Sequence, residues 1–152
     1  MVAVTPQVTE ITVAYVPFKS ANDAPVIITS TDAAALFLEA FNRNTMALQE
    51  QFLVMYLNRA NRVLGVFKAS NGGITGTVAD PRLILGTALK IAAVSLVLAH
   101  NHPSGNLKPS RADQELTTKI KEAAKFMDIQ LLDHLILDPT GGYFSFADEG
   151  LM

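Results

Sequence analysis

The sequence predicts an α/β fold, a layered sandwich around a mixed sheet, and three observations carry that prediction. Segments with strand character alternate with segments of helical character along the chain. "VSLVLAH" (Val94 to His100) is an unbroken apolar run, the pattern of a strand covered on both faces. "QFLVMYLN" and "RVLGVFKAS", separated only by "RAN", read as a strand pair with a tight connection.

In chain order, "ITVAYVPF" and "PVIIT" are β-branched and aromatic-rich and read as strands within residues 1–30. Residues 31–152 read as one folding unit, since the chain has no internal repeat or low-complexity linker. "STDAAALFLEAF" offers Ser30, Thr31 and Asp32 as N-cap candidates ahead of an apolar helical run. After the strand pair, "SNGG" marks a turn. "ADPRLILGTALKIAA" then places Asp80 at a cap and Pro81 at the first helical position, where proline's missing N–H costs nothing. The loop "NHPSGNLKP" follows "VSLVLAH" and leads into "SRADQELTTKIKEAAKFM", a helix with apolar positions at Leu116, Ile120, Ala123, Ala124 and Met127. "IQLLDHLIL" is a further strand, "DPTGG" a turn and "YFSF" a short last strand.

At 152 residues the chain can bury a substantial core, and its 49% hydrophobic and 17% charged residues describe a globular protein. Its longest apolar run, Ile91 to Ala99, is too short to span a bilayer, and no secretory signal opens the sequence. A cytoplasmic protein with no membrane partner is expected. The absence of cysteine excludes disulfides, thiolate zinc sites and a cysteine nucleophile, so any metal must be held by nitrogen and oxygen. A net charge of −2 and a pI near 5.9 argue against a dedicated nucleic-acid binder. Lys108, Arg111, Lys119, Lys121 and Lys125 cluster after the histidines and read as a solvated helical face.

The chemistry concentrates in "AHNHPSGNLKPSRAD", Ala99 to Asp113. His100 and His102 are two of only three histidines. In extended backbone, residues i and i+2 point to one face about 7 Å apart along the strand, close enough for two imidazoles to converge on one ion. Pro103, Gly105 and Pro109 turn the chain, and Asp113 in the first turn of the following helix can swing back toward them. His100, His102 and Asp113 would then form a three-ligand open site that leaves the fourth position of a tetrahedral zinc for water. Each piece has a plainer reading. "SRAD" has the form of a capping box, and the histidine pair can belong to a turn with one ring in solvent. His134, in "LLDHLIL", reads as a core residue or as one that supports a ligand imidazole, with Asp133 on the opposite face.

Taken together, His100-x-His102, seven residues, Ser110, two residues and Asp113 resemble the complete JAMM motif of JAB/MPN metal-dependent isopeptidase domains. More narrowly, "LAHNHPSGNLKPSRAD" and "LLDHLIL" are similar to the RadC-like branch, and the likeness runs from "EQFLVMYLNRANRVLG" to "FADEGLM". The resemblance implies the three-layer, cytidine-deaminase-like JAB/MPN architecture, one zinc ion per chain on His100, His102 and Asp113, and a Ser110 hydroxyl that supports the tetrahedral intermediate. It also implies an upstream glutamate as general acid/base, and Glu50 in "LQEQFLVMYLN" stands at that position. Residue spacing alone does not choose Glu50 over Glu10, Glu39, Glu115 or Glu122. The implied activity is hydrolysis of peptide or isopeptide bonds in a protein or peptide substrate.

The alternative is a nucleic-acid-associated module of repair or mobile-element biology, with the zinc structural or acting on phosphodiesters. Family members usually carry a helix-hairpin-helix region ahead of this domain, where residues 1–30 here read as strands, and often have His-Pro-Arg where this chain has Asp80-Pro81-Arg82. A homo-oligomer through an exposed edge strand such as "ITVAYVPF" is a further expectation. Asn101 and Ser104, beside the histidines, receive no role from the sequence.

Overall fold

A computed structural model describes residues 9, 11–12, 14–17, 19–73 and 78–152. After a 3-10 turn (Ala21–Asp23), the elements run α1 (Ser30–Ala40), β1 (Gln51–Leu57), β2 (Val63–Asn71), α2 (Pro81–Lys90), β3 (Ser95–Asn101), α3 (Arg111–Phe126), β4 (Gln130–Leu137) and β5 (Tyr143–Ser145). The five strands form one mixed sheet in the order β2-β1-β3-β4-β5. Only β3 and β4 are parallel, joined by the α3 crossover; the other neighbours are antiparallel.

Both β1 and β3 are buried along their whole length. Alternation sends Phe52, Val54, Tyr56, Leu96 and Leu98 to one side, against Ile84, Leu85 and Ala88 of α2 and Ile120 and Ala124 of α3. Leu53, Met55, Leu57, Val97 and Ala99 face the other side, against Ala33, Ala34 and Phe37 of α1. The expected sandwich with helices on both faces of a mixed sheet is the fold observed. Burial on both faces explains why these central strands are continuous apolar runs. A single large side chain such as Phe37, fully buried under the sheet, stabilises the fold by about 1.5–3 kcal/mol.

Several local expectations hold in detail. Asp80 caps α2 through its side chain, with Pro81 in the first turn, and Ser110 caps α3. Asn58 closes the β1–β2 connection by accepting the N–H groups of Ala60 and Arg62.

Three others differ. The cap of α1 is Thr29, not Ser30, Thr31 or Asp32. Thr29 accepts the Asp32 N–H while the Asp32 carboxylate accepts the N–H groups of Thr29 and Ile28, a closed capping box. That leaves Ser30 free to donate to Asp148. The segment "PVIIT" forms no strand; Val26 makes one isolated antiparallel bridge to Arg62 at the tip of the hairpin, and Ile27 drops into the core. Pro25 has no N–H to extend that pairing. None of the described residues of "ITVAYVPF" is in a strand, and Tyr15 meets β2 through its hydroxyl, which donates to the Leu64 carbonyl, so a regular edge strand is absent among them; Val13 and Phe18 lie outside the described residues.

In α3 the buried stripe is Thr117, Ile120 and Ala124, with Leu116 and Ala123 at its margin and Met127 half-exposed at the cap. A polar Thr117 on that stripe matters below. An irregularity between Leu96/Val97 and Leu131/Asp133 inserts one extra residue into β4, so Leu131 and His134, three apart, both face the α3 side.

Candidate metal centre

β3 runs into the site with His100 on the same face as Leu96 and Leu98. Past the strand end, the His102 N–H still donates to the Leu137 carbonyl, which keeps the backbone extended and brings both rings to one side. Their centroids are 4.9 Å apart. The chain then turns: Gly105 N–H donates to the His102 carbonyl, and Gly105 has φ +82°, a conformation that favours glycine. The Asn106 carbonyl accepts from His102 Nδ1. Because a carbonyl only accepts, His102 carries a proton on Nδ1 and turns Nε2 toward the site.

The helix that follows delivers Asp113. Its Oδ2 accepts the Ser110 N–H and the Ser110 hydroxyl, both at 2.7 Å, while the Ser110 oxygen accepts the Asp113 N–H. The same carboxylate reaches the histidines, Oδ1 lying 3.2 Å from His100 Nε2 and Oδ2 3.7 Å from His102 Nε2. Capping and convergence on the histidines are therefore one arrangement, with Oδ2 serving the cap and Oδ1 facing His100. The α3 N-terminus also favours an anion there.

The structure thus brings His100, His102 and Asp113 together, with their candidate ligand atoms all within 4.8 Å of one another. The two Nε2 atoms face each other at 3.0 Å beside a carboxylate. A donor set of two imidazoles and one carboxylate, with His100 buried and His102 and Asp113 partly buried, fits a divalent ion of the zinc type, for which three protein ligands and one open position are the catalytic pattern. Electrostatics agree with a site that holds positive charge. Burial pushes the Asp113 carboxyl up, but hydrogen bonds from His100, His102 and Ser110 more than reverse it and leave it well below the usual range. The Asp113 hydrogen bond raises His102 against the opposing effect of burial, and the charge of Glu50 adds to the rise.

Glu50 stands immediately ahead of β1, whose Phe52 pairs with His100 in the antiparallel register. Its backbone is held by Gly72 and Gly73 beyond the end of β2. Behind the ligands, Phe52 stacks on His100, and His134 sits fully buried between His100 and Thr117 with Phe146 stacked on its ring. Burial drives His134 well below the ordinary imidazole range.

Two participants escaped the sequence reading. Asn101 is fully buried on the α1 side of β3, and Thr117 joins His134 from α3. Asn101 sits between the two histidines, which is a signal of sorts, but nothing in the sequence tells where its amide goes. The cationic run after the histidines is mixed in charge on the folded surface: Arg111 pairs with Glu115 at 2.7 Å, and both are well exposed. Among the described residues, no helix is long and apolar enough to cross a membrane.

A model of the RadC-like JAB domain matches residues 27–151. The chain is 48% identical over 102 residues to a UPF0758 protein of Flavobacterium johnsoniae, a stretch covering 67% of this chain and 44% of that protein. It is 44% identical over 104 residues to a UPF0758 protein of Porphyromonas gingivalis (68% and 46%) and 43% identical over 103 residues to the UPF0758 protein STH371 of Symbiobacterium thermophilum (68% and 44%). The matched stretch spans less than half the length of these curated relatives.

Proposed function

Because this chain belongs to the RadC-like JAB domain family, we propose that it is a zinc-dependent hydrolase of peptide or isopeptide bonds. The observation that carries the reading is the convergence of His100, His102 and Asp113 at the end of β3, near enough to Glu50 for its charge to act on His102. His100, His102 and Asp113 would hold one zinc ion through two nitrogens and one carboxylate oxygen. Bound there, zinc would supply Lewis acidity and lower the pKa of a water toward about 7.

The chain's own residues then divide the proton and charge work. Glu50 accepts the proton of the attacking water and returns it to the departing amine, the role of a general base that becomes a general acid. The Ser110 hydroxyl now donates to Asp113 Oδ2, and a rotation of that hydroxyl would aim it at the developing oxyanion. Asp113 keeps its place during such a turn because the Ser110 backbone N–H still binds Oδ2. Phe52, stacked behind His100 at 5.9 Å, backs the site with an apolar wall.

The test has two parts. Elemental analysis of the purified chain should give about one zinc, lost in the His100→Ala/His102→Ala double variant. A screen of peptide and isopeptide substrates should then find an activity that Glu50→Gln abolishes while keeping zinc and fold. A folded protein that takes up no metal even after incubation with zinc would overturn the metal reading, and full activity of Glu50→Gln would remove Glu50 from the mechanism.

A further inference from the structure

His134 is buried and touches a metal-ligand candidate without belonging to the candidate ligand set itself. Its Nε2 lies 2.8 Å from His100 Nδ1, and its Nδ1 lies 2.6 Å from Thr117 Oγ1. Thr117 Oγ1 is also 2.6 Å from the Asp113 carbonyl oxygen. We infer that His134 and Thr117 form a proton-direction lock that keeps a proton on His100 Nδ1, so that Nε2 is the nitrogen offered to the site beside His102 and Asp113. The inference rests on the metal-centre reading for its purpose, but it concerns proton placement in the metal-free chain.

The lock follows from counting protons. A carbonyl has none to give, so the Asp113 contact is a hydrogen bond only if Thr117 donates its single hydroxyl proton there. Thr117 then has only lone pairs left for His134, and His134 Nδ1 must carry the proton. His134 is fully enclosed, with Phe146 stacked at 4.8 Å and Phe52 edge-on at 5.6 Å, surroundings that favour a neutral ring. A neutral ring protonated on Nδ1 has a bare Nε2. The 2.8 Å contact therefore needs a proton on His100 Nδ1, and Nε2 is the nitrogen that faces His102 and Asp113. A His100 with no proton on Nδ1 would set two lone pairs against each other at 2.8 Å.

His134 is thus a positioning residue that acts through His100. The lock is anchored on Asp113, since one residue supplies both the carboxylate facing the histidines and the carbonyl that orients Thr117. Its effect is to reserve Nε2 for a cation, because Nδ1 is committed to His134.

The direct test is long-range proton–nitrogen NMR of histidine-labelled, metal-free protein at about pH 8.5, well above the ordinary imidazole pKa. His100 should show a protonated Nδ1 in the wild type. It should keep that state in His134→Gln, whose amide can donate to Thr117 and accept from His100. In His134→Phe and in Thr117→Val, His100 should shift toward the Nε2-protonated form. Zinc affinity from chelator competition should fall about 10–100-fold in His134→Phe and recover in His134→Gln. Should His134→Phe fail to fold, Thr117→Val carries the same comparison with less change in shape. A wild-type His100 with no proton on Nδ1, or tautomer populations unmoved by both Thr117→Val and His134→Phe, would overturn the inference. A wild type with the Nδ1 tautomer that binds no zinc would instead overturn the metal-centre reading and leave the lock standing.

Discussion

The Asn101 side chain accepts the backbone N–H of Gln51 at 2.7 Å, joining the strand that carries the histidines to the residue next to Glu50. Its amide nitrogen donates to the carbonyls of Met46 and Gln49, so all three contacts fix the backbone on either side of Glu50. β3 therefore presents His100 on one face and a clamp for the glutamate segment on the other. The distance between metal ligands and the proposed base is set by one strand.

Replacing Asn101 with alanine should orphan buried polar groups at Gln51, Met46 and Gln49 and destabilise the fold by about 2 kcal/mol or more. The variant should still bind one zinc but turn over more slowly, with kcat falling further than KM changes. Denaturant unfolding, zinc content and kinetics on one preparation check this. Unchanged kcat in a folded variant would mean that Glu50 does not depend on this clamp.

Asp113 has two duties, and two substitutions separate them. Asp113→Asn and Asp113→Ala should both lose zinc, since neither supplies an anionic oxygen. Only Asp113→Ala should also lose the reciprocal half of the capping box, with a further loss of roughly 1 kcal/mol in metal-free stability. Urea unfolding in the presence of chelator reads the second effect alone.

Ser110→Ala should cost about 1 kcal/mol through the lost cap. If the hydroxyl also stabilises an oxyanion, kcat should fall on the order of 100-fold. A stability loss with no change in rate would leave Ser110 as a cap.

Asp133 provides a pH-dependent prediction away from the ligands. Burial raises its carboxyl above the ordinary 3.8, although Ser145, Ala147 and His134 all donate to it. In the pH range between 3.8 and that raised value the folded state holds a proton that the unfolded chain has released, so stability from this group falls as pH rises. Asp133→Asn should remove that downward component. Urea midpoints of the metal-free proteins, compared from about pH 4 to pH 8, measure the difference, and parallel curves for the two proteins would contradict it.

Much of this site was legible in the sequence because its signals are local. Two histidines at i and i+2 share a face in any extended backbone, and Ser-x-x-Asp after proline starts a helix by side-chain to backbone bonds three residues apart. The apolar run of β3 likewise announced a strand covered on both faces. The N-terminal strands misled for the converse reason. β-branched composition describes a residue's fit to a pleated surface, and whether residues 25–29 find a partner depends on where the β1–β2 hairpin ends.

Tertiary structure alone decided how the site is supported. Simple alternation from Leu131 would send His134 to the α1 side; the extra residue in β4 turns it toward Thr117 and His100. Asn101 meets Gln51 fifty positions away only because β1 lies antiparallel to β3 with Phe52 opposite His100. Such contacts depend on register, a one-residue property of strand pairing that composition and spacing do not encode. The sequence by itself determined which atoms could bind a metal, and the packing of α3 and β4 against β3 determined how those atoms are held.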